Sequence, residues 1–264
     1  MKSPMSQVAR YRLGASLHYG RVDGDAFARL AGPPWETVAE TGDRDPRSAA
    51  RIVAPVAPSK IVCIGLNYRA HIPESTTTVA TEDGVPKEPL MFFKPPSAVI
   101  GPLQPIRYPS GVTRMDPEGE MGVVIGRRAR RVAAASAMDH VLGITCANDV
   151  SARNYQRQDG QWTRAKGFDT FAPLGPWIAI GLDPGGLRVE CRVNGETRQS
   201  GNTADLLFAV PFLIQHISHI MTLEPGDVIM TGTPAGVAPI VAGDVVEVEV
   251  EGVGVLENRV EAAD

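Results

Sequence analysis

Cysteine is scarce in this chain and is not placed to build a framework. The three cysteines, Cys63, Cys146 and Cys191, lie in apolar, strand-like runs, and no two of them have the CxxC spacing. An odd number of scattered cysteines argues against a disulfide scaffold and against a cysteine-based zinc site. We therefore expect free thiols in a reducing compartment.

Long apolar runs and extreme charge are missing as well. No apolar stretch reaches the about 18 residues of a membrane span, and the first residues do not have a signal-peptide pattern. The formal net charge is -4 and the isoelectric point is near 5.8, which gives no general attraction to nucleic acid or to an anionic membrane. Neither GxGxxG nor GxxxxGK[ST] occurs, so the usual nucleotide-binding loops are absent. We expect a soluble, cytoplasmic protein without nucleic-acid or membrane partners.

What is present is a strand-rich pattern in a chain of 264 residues, which is long enough to bury a sizeable core. Turn signals and a proline-marked boundary predict a small N-terminal domain over residues 1–57 and a larger domain over residues 58–264. In the larger domain the pattern predicts strands at 61–64, 89–93, 120–125, 141–147, 177–181, 187–193, 227–231 and 245–250. The predicted fold class is α+β and predominantly β.

Two helices and one hairpin complete the prediction. The alanine-rich stretch 132–141 predicts one helix, and Thr203 is the predicted N-cap of a longer helix that runs to Ile220. A polar stretch spans residues 41–47. Asn194-Gly195 after alternating apolar residues predicts a tight hairpin turn.

Three acidic residues are the most informative feature of the sequence. Glu118 and Glu120 are separated by one residue at the start of a predicted strand, so both carboxylates should point from one face. Asp149 follows a second predicted strand and can reach the same place. At an effective dielectric of about 20, two unit charges about 4 Å apart repel by about 4 kcal/mol, so such a cluster needs a cation or must take up protons. Carboxylate oxygens suit Mg²⁺, Mn²⁺ or Ca²⁺ rather than zinc.

The alternative is that a Glu-x-Glu pair on a strand is simply a solvated face. The C-terminal run VVEVEVEGV illustrates it, because Glu247, Glu249 and Glu251 alternate there with valines. For Glu118 and Glu120 the neighbouring motifs favour a site instead.

A histidine and a glutamate follow the first predicted strand of the larger domain. His71 and Glu74 are spaced by three positions at the start of a predicted short helix, where the glutamate can orient the imidazole as a general base. The following segment, residues 76–89, is polar and predicts a mobile loop that could act as a lid.

Two basic residues and a glycine-rich turn lie further along the chain. Arg153 and Lys166 are candidates to hold an anionic substrate or a developing oxyanion, although surface salt bridges are the simpler interpretation. Near Thr233, the turn MTGTPAGV can offer backbone N–H groups to a carboxylate.

The order of the motifs closely resembles the fumarylacetoacetate hydrolase family. The matching segments run from about Lys60 to the C-terminus and comprise GLNYRAH, FFKPPSAVIGP, DPEGEMGVVIG, NDVSAR, QWTRAKGFDTFAPLGP, VNGETRQ with NTADL, and LEPGDVIMTGTPAGV. Within the family, the hairpin and C-terminal segments are similar to isomerase/decarboxylases of homoprotocatechuate breakdown. NDVSARNYQ and the QWTRAKGFDTF segment look more like acylpyruvate hydrolases and oxaloacetate decarboxylases.

The resemblance implies a mixed β-roll catalytic domain with a small N-terminal domain, a homodimer, and a divalent ion that is usually Mg²⁺. It implies the metal ligands Glu118, Glu120 and Asp149, the catalytic residues His71, Glu74 and Lys166, and the substrate-binding residues Arg153, Gln156 and Thr233. Pro73, which lies between His71 and Glu74, departs from the pattern and fits only if the short helix begins there.

The expected substrate is a small 2-oxo acid that reacts through an enolate, in one of three ways. Hydrolysis of a C–C bond in an acylpyruvate or fumarylpyruvate is the first prediction. Decarboxylation of oxaloacetate and isomerisation of 2-hydroxyhepta-2,4-diene-1,7-dioate are the alternatives. A protein that keeps the fold and binds metal or ligand without catalysis is the alternative of another class.

Overall fold

The structure is a computed structural model that describes residues 6–74, 81 and 84–263. Strands dominate these parts of the chain. They are β1 Ser6–Leu13, β2 Ser16–Asp23, β3 Ala26–Leu30, β4 Glu40–Pro46, β5 Arg51–Val53, β6 Ile61–Gly65, β7 Leu90–Lys94, β8 Val99–Ile100, β9 Ile106–Tyr108, β10 Met115–Asp116, β11 Gly119–Ile125, β12 Val141–Asn148, β13 Ser151–Ala152, β14 Ala172–Ile180, β15 Arg188–Val193, β16 Glu196–Asn202, β17 Val228–Met230, β18 Val245–Val250 and β19 Gly254–Ala262.

Helices are short and few in the same residues. The α-helices are α1 Arg153–Asp159, α2 Thr163–Lys166 and α3 Val210–Ile220, and the 3-10 helices are Arg47–Ala49, Arg69–Glu74, Pro96–Ala98, Ala134–His140 and Thr203–Asp205. None of the helices that the structure describes is long and apolar enough to cross a membrane.

One mixed sheet of twelve strands runs through the molecule in the order β4-β3-β2-β1-β14-β12-β11-β17-β6-β7, with β5 beside β1 and β8 beside β14. Most neighbours are antiparallel, whereas β17 with β6 and β8 with β14 are parallel. A second sheet of five strands, β16-β15-β18-β19-β9, packs on β11, β12 and β14. The predicted α+β, predominantly β fold is confirmed.

The N-terminal strands extend the large sheet rather than forming a separate one. Strand β1 pairs antiparallel with β14, and the partners of Ser6, Gln7 and Val8 are Ile180, Ala179 and Ile178. The apolar centre of this region, with Tyr11 stacked on Phe27, also packs against Trp177 of β14. The boundary near residue 57 stays a prediction, since the strands on its two sides belong to one sheet.

The central strand β11 is buried along its whole length. Met121, Val123 and Ile125 contribute to the larger core, while Val124 on the opposite face belongs to a second apolar cluster. Burial on both faces explains why the strand reads as an apolar run after its acidic start. In β18 the valines are buried and the alternating glutamates are not, as the sequence predicted.

Two predicted helices are wrong in type or extent. The stretch predicted as a helix over 132–141 forms the 3-10 helix Ala134–His140. Thr203 does not cap a long helix, because its hydroxyl donates to Pro184 O and accepts from Leu187 N, and the α-helix starts only at Val210. Pro211 lies in the first turn of that helix, where its missing N–H costs no hydrogen bond.

The polar stretch 41–47 is mostly strand β4, which pairs with β3. The hairpin at Asn194-Gly195 is confirmed. Both residues have positive φ angles, 54° and 80°, as a two-residue turn requires.

Candidate active site

The three acidic residues meet where β11 begins and β12 ends. In this antiparallel pair Gly119 lies opposite Asn148 and Glu120 opposite Ala147, and Asp149 N donates to Glu118 O at 2.9 Å. One oxygen from each of the three carboxylates lies within 4.8 Å of the others, and all three side chains are buried. The pairing of two strands therefore brings together residues that are about thirty positions apart.

The glycine between the two glutamates faces the second sheet. A Cβ at Gly119 would lie 2.8 Å from the Cβ of Cys191 in β15, a separation that real structures do not tolerate. Close packing of the sheets thus requires glycine here, and the glutamates on either side point into the cleft.

Cations neutralise two of the three carboxylates. Lys166 is fully buried, and its ammonium donates to Glu118 Oε2 at 2.7 Å, Asp149 Oδ2 at 2.6 Å and Ser151 Oγ at 2.6 Å. Burial alone would lower the pKa of Lys166, but the attraction of Asp149 and Glu118 outweighs it and raises the pKa. Burial likewise would raise the pKa of Glu118, yet Arg153 and Lys166 hold it well below its ordinary value.

Glu120 lacks such a partner among the described residues. Its Oε2 accepts the backbone N–H of Gly232 at 2.7 Å, and no ion pair to it is formed within 6–74, 81 and 84–263. Burial raises the pKa of the Glu120 carboxyl well above its ordinary value, and the charges of Asp149 and Glu118 raise it further. Glu120 is therefore the member of the cluster whose carboxylate has no cation beside it among the described residues.

Asp149 carries an oxygen that is buried and accepts no hydrogen bond. This oxygen, Oδ1, lies 2.8 Å from Lys94 Nζ, but the ammonium directs its three hydrogens to the carbonyl oxygens of Val150, Lys166 and Phe171. A carboxylate oxygen that accepts no hydrogen bond, next to two more carboxylates, fits a divalent cation that prefers oxygen ligands. The residues present thus suit Mg²⁺, Mn²⁺ or Ca²⁺.

Arg153 holds one side of the cluster. Its guanidinium donates to Glu118 Oε1 at 2.6 Å, to Asp116 Oδ2 at 2.8 Å and to Gln156 Oε1 at 2.9 Å. The buried Asp116 also receives a two-pronged bond from Arg114. Arg153 and Gln156 thus lie at the predicted site, and the guanidinium of Arg153 is occupied by protein groups.

The histidine and glutamate pair lies on the 3-10 helix Arg69–Glu74 that follows β6. His71 Nδ1 is 3.0 Å from Glu74 Oε2, and His71 Nε2 is 4.0 Å from Glu118 Oε1. Pro73 lies inside this 3-10 helix and not at its start, so the expectation that the short helix begins at Pro73 is wrong. Both oxygens of Glu74 accept the N–H of Gly236, at 2.9 and 3.0 Å.

The glycine-rich turn after β17 serves the protein's own carboxylates. Its N–H groups at Gly232 and Gly236 bind Glu120 and Glu74, so these two are not free for a substrate carboxylate. The hydroxyl of Thr233 donates to Gly119 O and accepts from Gln199, while its side chain lines the cleft.

All nine predicted site residues line one cleft around the carboxylate cluster. Lys166 reaches it from α2 and Thr233 from the turn after β17. The cleft encloses a cavity of about 80 Å³. Phe92 and Trp162 form an aromatic wall with their rings edge to face. Half of the predicted lid at 76–89 lies outside the described residues, which include only Thr81 and residues 84–89 of it.

Sequence reasoning missed Lys94, Asp116 and Ser151 as parts of the site. Lys94 could have been noticed, because a lysine ends the otherwise apolar strand LMFFK. Asp116 and Ser151 belong to the two short strands β10 and β13, which pair with each other and have no distinctive pattern of their own.

Two family models match separate parts of the chain. Residues 60–261 match the family model of the fumarylacetoacetate (FAA) hydrolase C-terminal domain, and residues 7–55 match a Rv2993c-like N-terminal model. Protein Rv2993c of Mycobacterium tuberculosis is 43% identical over 92% of this chain and 98% of its own length. The mitochondrial oxaloacetate tautomerase FAHD2A of Homo sapiens is 44% identical over 81% of this chain and 71% of its own length.

Two solved structures are also similar to this chain. The 2-hydroxyhepta-2,4-diene-1,7-dioate isomerase from Mycobacterium marinum is 40% identical with a TM-score of 0.89, and the match covers 97% of this chain and 98% of that one. The maleylpyruvate hydrolase from Sphingobium sp. SYK-6, solved with manganese(II) and pyruvate, is 30% identical with a TM-score of 0.79, over 98% of this chain and 100% of that one.

Proposed function

Because the chain belongs to the fumarylacetoacetate hydrolase family, we propose that it is a divalent-metal-dependent enzyme that acts on a small 2-oxo acid through an enolate. One observation carries the proposal. Three buried carboxylates converge within 4.8 Å, and one of their oxygens accepts no hydrogen bond. A solvated acidic face would have neither the burial nor the convergence.

In this proposal Glu118, Glu120 and Asp149 hold the ion, which is Mg²⁺ or Mn²⁺, with Ca²⁺ as a further candidate. When bound, the ion would polarise the carboxylate and 2-oxo group of the substrate and stabilise the negative charge of the enolate. Three protein ligands leave positions for a bidentate 2-oxo acid.

His71 is the proposed general base. Glu74 engages its Nδ1, which leaves Nε2 on the side of the carboxylate cluster to take or return a proton. Glu74 is itself fixed by the N–H of Gly236, so the imidazole has one preferred orientation. Lys166 adds a fixed positive charge beside the reacting carbons and keeps Glu118 and Asp149 in place.

The remaining predicted residues border the substrate in this proposal. Arg153 orients Glu118 through a direct bond and Gln156 through another, so a substrate would meet the edge of this bonded group. Thr233 lies on the turn that closes the opposite wall.

Keto–enol interconversion of a 2-oxo dicarboxylic acid such as oxaloacetate is the reaction we propose first. It needs only one proton moved at the carbon next to the carbonyl, which a single oriented base can do. The oxaloacetate tautomerase similarity covers most of this chain and supports the choice. Hydrolysis of a C–C bond is the second candidate, supported by the similarity to maleylpyruvate hydrolase, and in it His71 would deprotonate a water.

A substrate panel tests the proposal and separates the candidates. The metal-free protein is assayed with oxaloacetate, acetylpyruvate and 2-hydroxyhepta-2,4-diene-1,7-dioate, with and without Mg²⁺ or Mn²⁺. Faster decay of the enol absorbance of oxaloacetate without pyruvate release supports the tautomerase. Pyruvate with acetate from acetylpyruvate supports the hydrolase, and pyruvate with carbon dioxide from oxaloacetate supports a decarboxylase.

Metal binding without turnover of any member of the panel would instead favour a non-catalytic ligand-binding protein. The predicted homodimer stays a prediction, which analytical ultracentrifugation checks.

A further inference from the structure

Four basic side chains other than His71 line the cleft, and three of them are committed to protein carboxylates. Arg114 binds Asp116, and Lys166 binds two members of the carboxylate cluster. Arg153 binds Asp116 and also Glu118 of the cluster. The fourth is Arg157, which lines the same cleft. Its Nε donates to Arg153 O at 3.3 Å, and neither of its Nη groups has an acidic partner among the described residues.

Arg157 lies on the outer side of the cleft. It is one turn after Arg153 on α1, so the two side chains share a face of the helix and are about 6 Å apart along its axis. Arg153 touches Glu118, at the deep end, whereas Arg157 is exposed. A line from the carboxylate cluster past Arg153 therefore leads toward Arg157 and the mouth.

The neighbouring arginine shows how this region normally satisfies a guanidinium. Arg164 forms a two-pronged bond with Asp159 and lies over the ring of Tyr155 at 3.9 Å. Arg157 is on the same short helix as Asp159 and yet has no such partner among the residues that the structure describes. Its two Nη groups keep the planar geometry that binds a carboxylate through two parallel hydrogen bonds.

We infer that Arg157 binds the second carboxylate of a dianionic substrate whose 2-oxo acid end lies at the carboxylate cluster. The inference rests on the proposed function for the position of the first end, and it deepens that function by assigning the residue that binds the second carboxylate. The enzyme selects 2-oxo dicarboxylic acids over 2-oxo monocarboxylic acids, since a monocarboxylic acid leaves Arg157 without a partner.

Equilibrium binding tests the inference without depending on turnover. Isothermal titration calorimetry on the Mn²⁺-loaded protein compares pyruvate with 2-oxoglutarate, which share the 2-oxo acid end. We expect Arg157→Gln to weaken 2-oxoglutarate binding about tenfold, as the loss of one exposed charge-assisted pair does, and to change pyruvate binding less than about twofold. Arg157→Lys should recover part of the loss. Arg164→Gln is the matched control and should change neither dissociation constant.

Each outcome decides. Equal weakening of both acids, or no weakening of 2-oxoglutarate, overturns the role of Arg157 and leaves the proposed function intact. If the wild-type protein binds Mn²⁺ but neither acid, the proposed function fails and the second-carboxylate site fails with it. A dicarboxylate preference that persists in Arg157→Gln assigns the second carboxylate to another group.

Discussion

The ammonium of Lys94 lies 2.8 Å from Asp149 Oδ1 and yet donates no hydrogen bond to it. Its three hydrogens point to the carbonyl oxygens of Val150, Lys166 and Phe171. One buried cation thus joins the segment after β12, the end of α2 and the start of β14, and it lies beside the Asp149 carboxylate.

We expect Lys94→Met to lower the free energy of unfolding by about 3 kcal/mol, because three buried carbonyls lose their donor and a buried carboxylate loses its counter-charge. Urea denaturation of the metal-free protein measures it. Arg107 and Glu261 form a half-exposed pair, so Arg107→Met should cost less than about 1 kcal/mol. Similar losses in the two variants would show that Lys94 has no special part in joining these segments.

Glu120→Gln should weaken Mn²⁺ binding about a hundredfold or more, because it removes a charged ligand and keeps the shape of the side chain. The amide oxygen can still accept from Gly232, so the fold should be retained. Titration of free Mn²⁺ by electron paramagnetic resonance gives the dissociation constant. Glu247→Gln is the control, since Glu247 belongs to the outward face of β18 and should leave Mn²⁺ binding unchanged. Unchanged binding in Glu120→Gln would contradict the assignment of the ligands.

His71→Ala should lower kcat by about a hundredfold to ten-thousandfold, the range of a lost general base. Mn²⁺ affinity should change less than about threefold, because His71 Nε2 is 4.0 Å from the nearest carboxylate oxygen and belongs to no ligand set. Steady-state kinetics on the most active panel substrate and a Mn²⁺ titration are measured together. The exposed His219 on α3 supplies the control variant His219→Ala. Loss of Mn²⁺ binding in His71→Ala would make His71 a ligand instead of a base.

The N-terminal strands contain a buried ion pair that should make stability depend on acid pH. Two hydrogen bonds from Arg29 lower the pKa of Asp45 below its ordinary value of 3.8, in spite of its burial, and Tyr11 donates to the same carboxylate. The folded state therefore keeps Asp45 ionised at a lower pH than the unfolded state does. Its stabilisation is complete above about pH 4 and is lost as the pH falls through the folded-state pKa.

We expect Asp45→Asn to be about 2 kcal/mol less stable than the wild type at pH 7, with the difference shrinking below about pH 4. Denaturant unfolding at several pH values provides the comparison. Asp43, which also contacts Arg29 but is 57% exposed, gives the control Asp43→Asn with a small, nearly constant effect. A difference for Asp45→Asn that stays constant down to pH 2 would contradict the interpretation.

The sequence predicts those parts of the fold and site that depend on neighbouring residues. The alternation in β18, the run of β11 and the Asn194-Gly195 turn follow from local periodicity and turn geometry, and the convergence of Glu120 with Asp149 follows once β11 and β12 are paired. These features need only one strand or one hairpin.

Features that depend on distant packing could not be predicted. Threonine is a residue type that helices favour at the N-cap, but the hydroxyl of Thr203 is bound to Pro184 and Leu187. The helix starts after Ala209. The three hydrogen bonds that Lys94 donates depend on carbonyl groups from three separate segments. The occupied N–H groups of Gly232 and Gly236 likewise depend on side chains more than a hundred positions away.

The pairing of β1 with β14 gives the N-terminal region a structural role, because it covers an edge of β14. A chain shortened to start at residue 58 would leave one flank of β14 with unpaired peptide groups next to the uncovered ring of Trp177. Such an unpaired edge can form strand pairs with other chains. The shortened protein would then aggregate although every residue of the cleft is intact. The first strands therefore protect the protein from self-association.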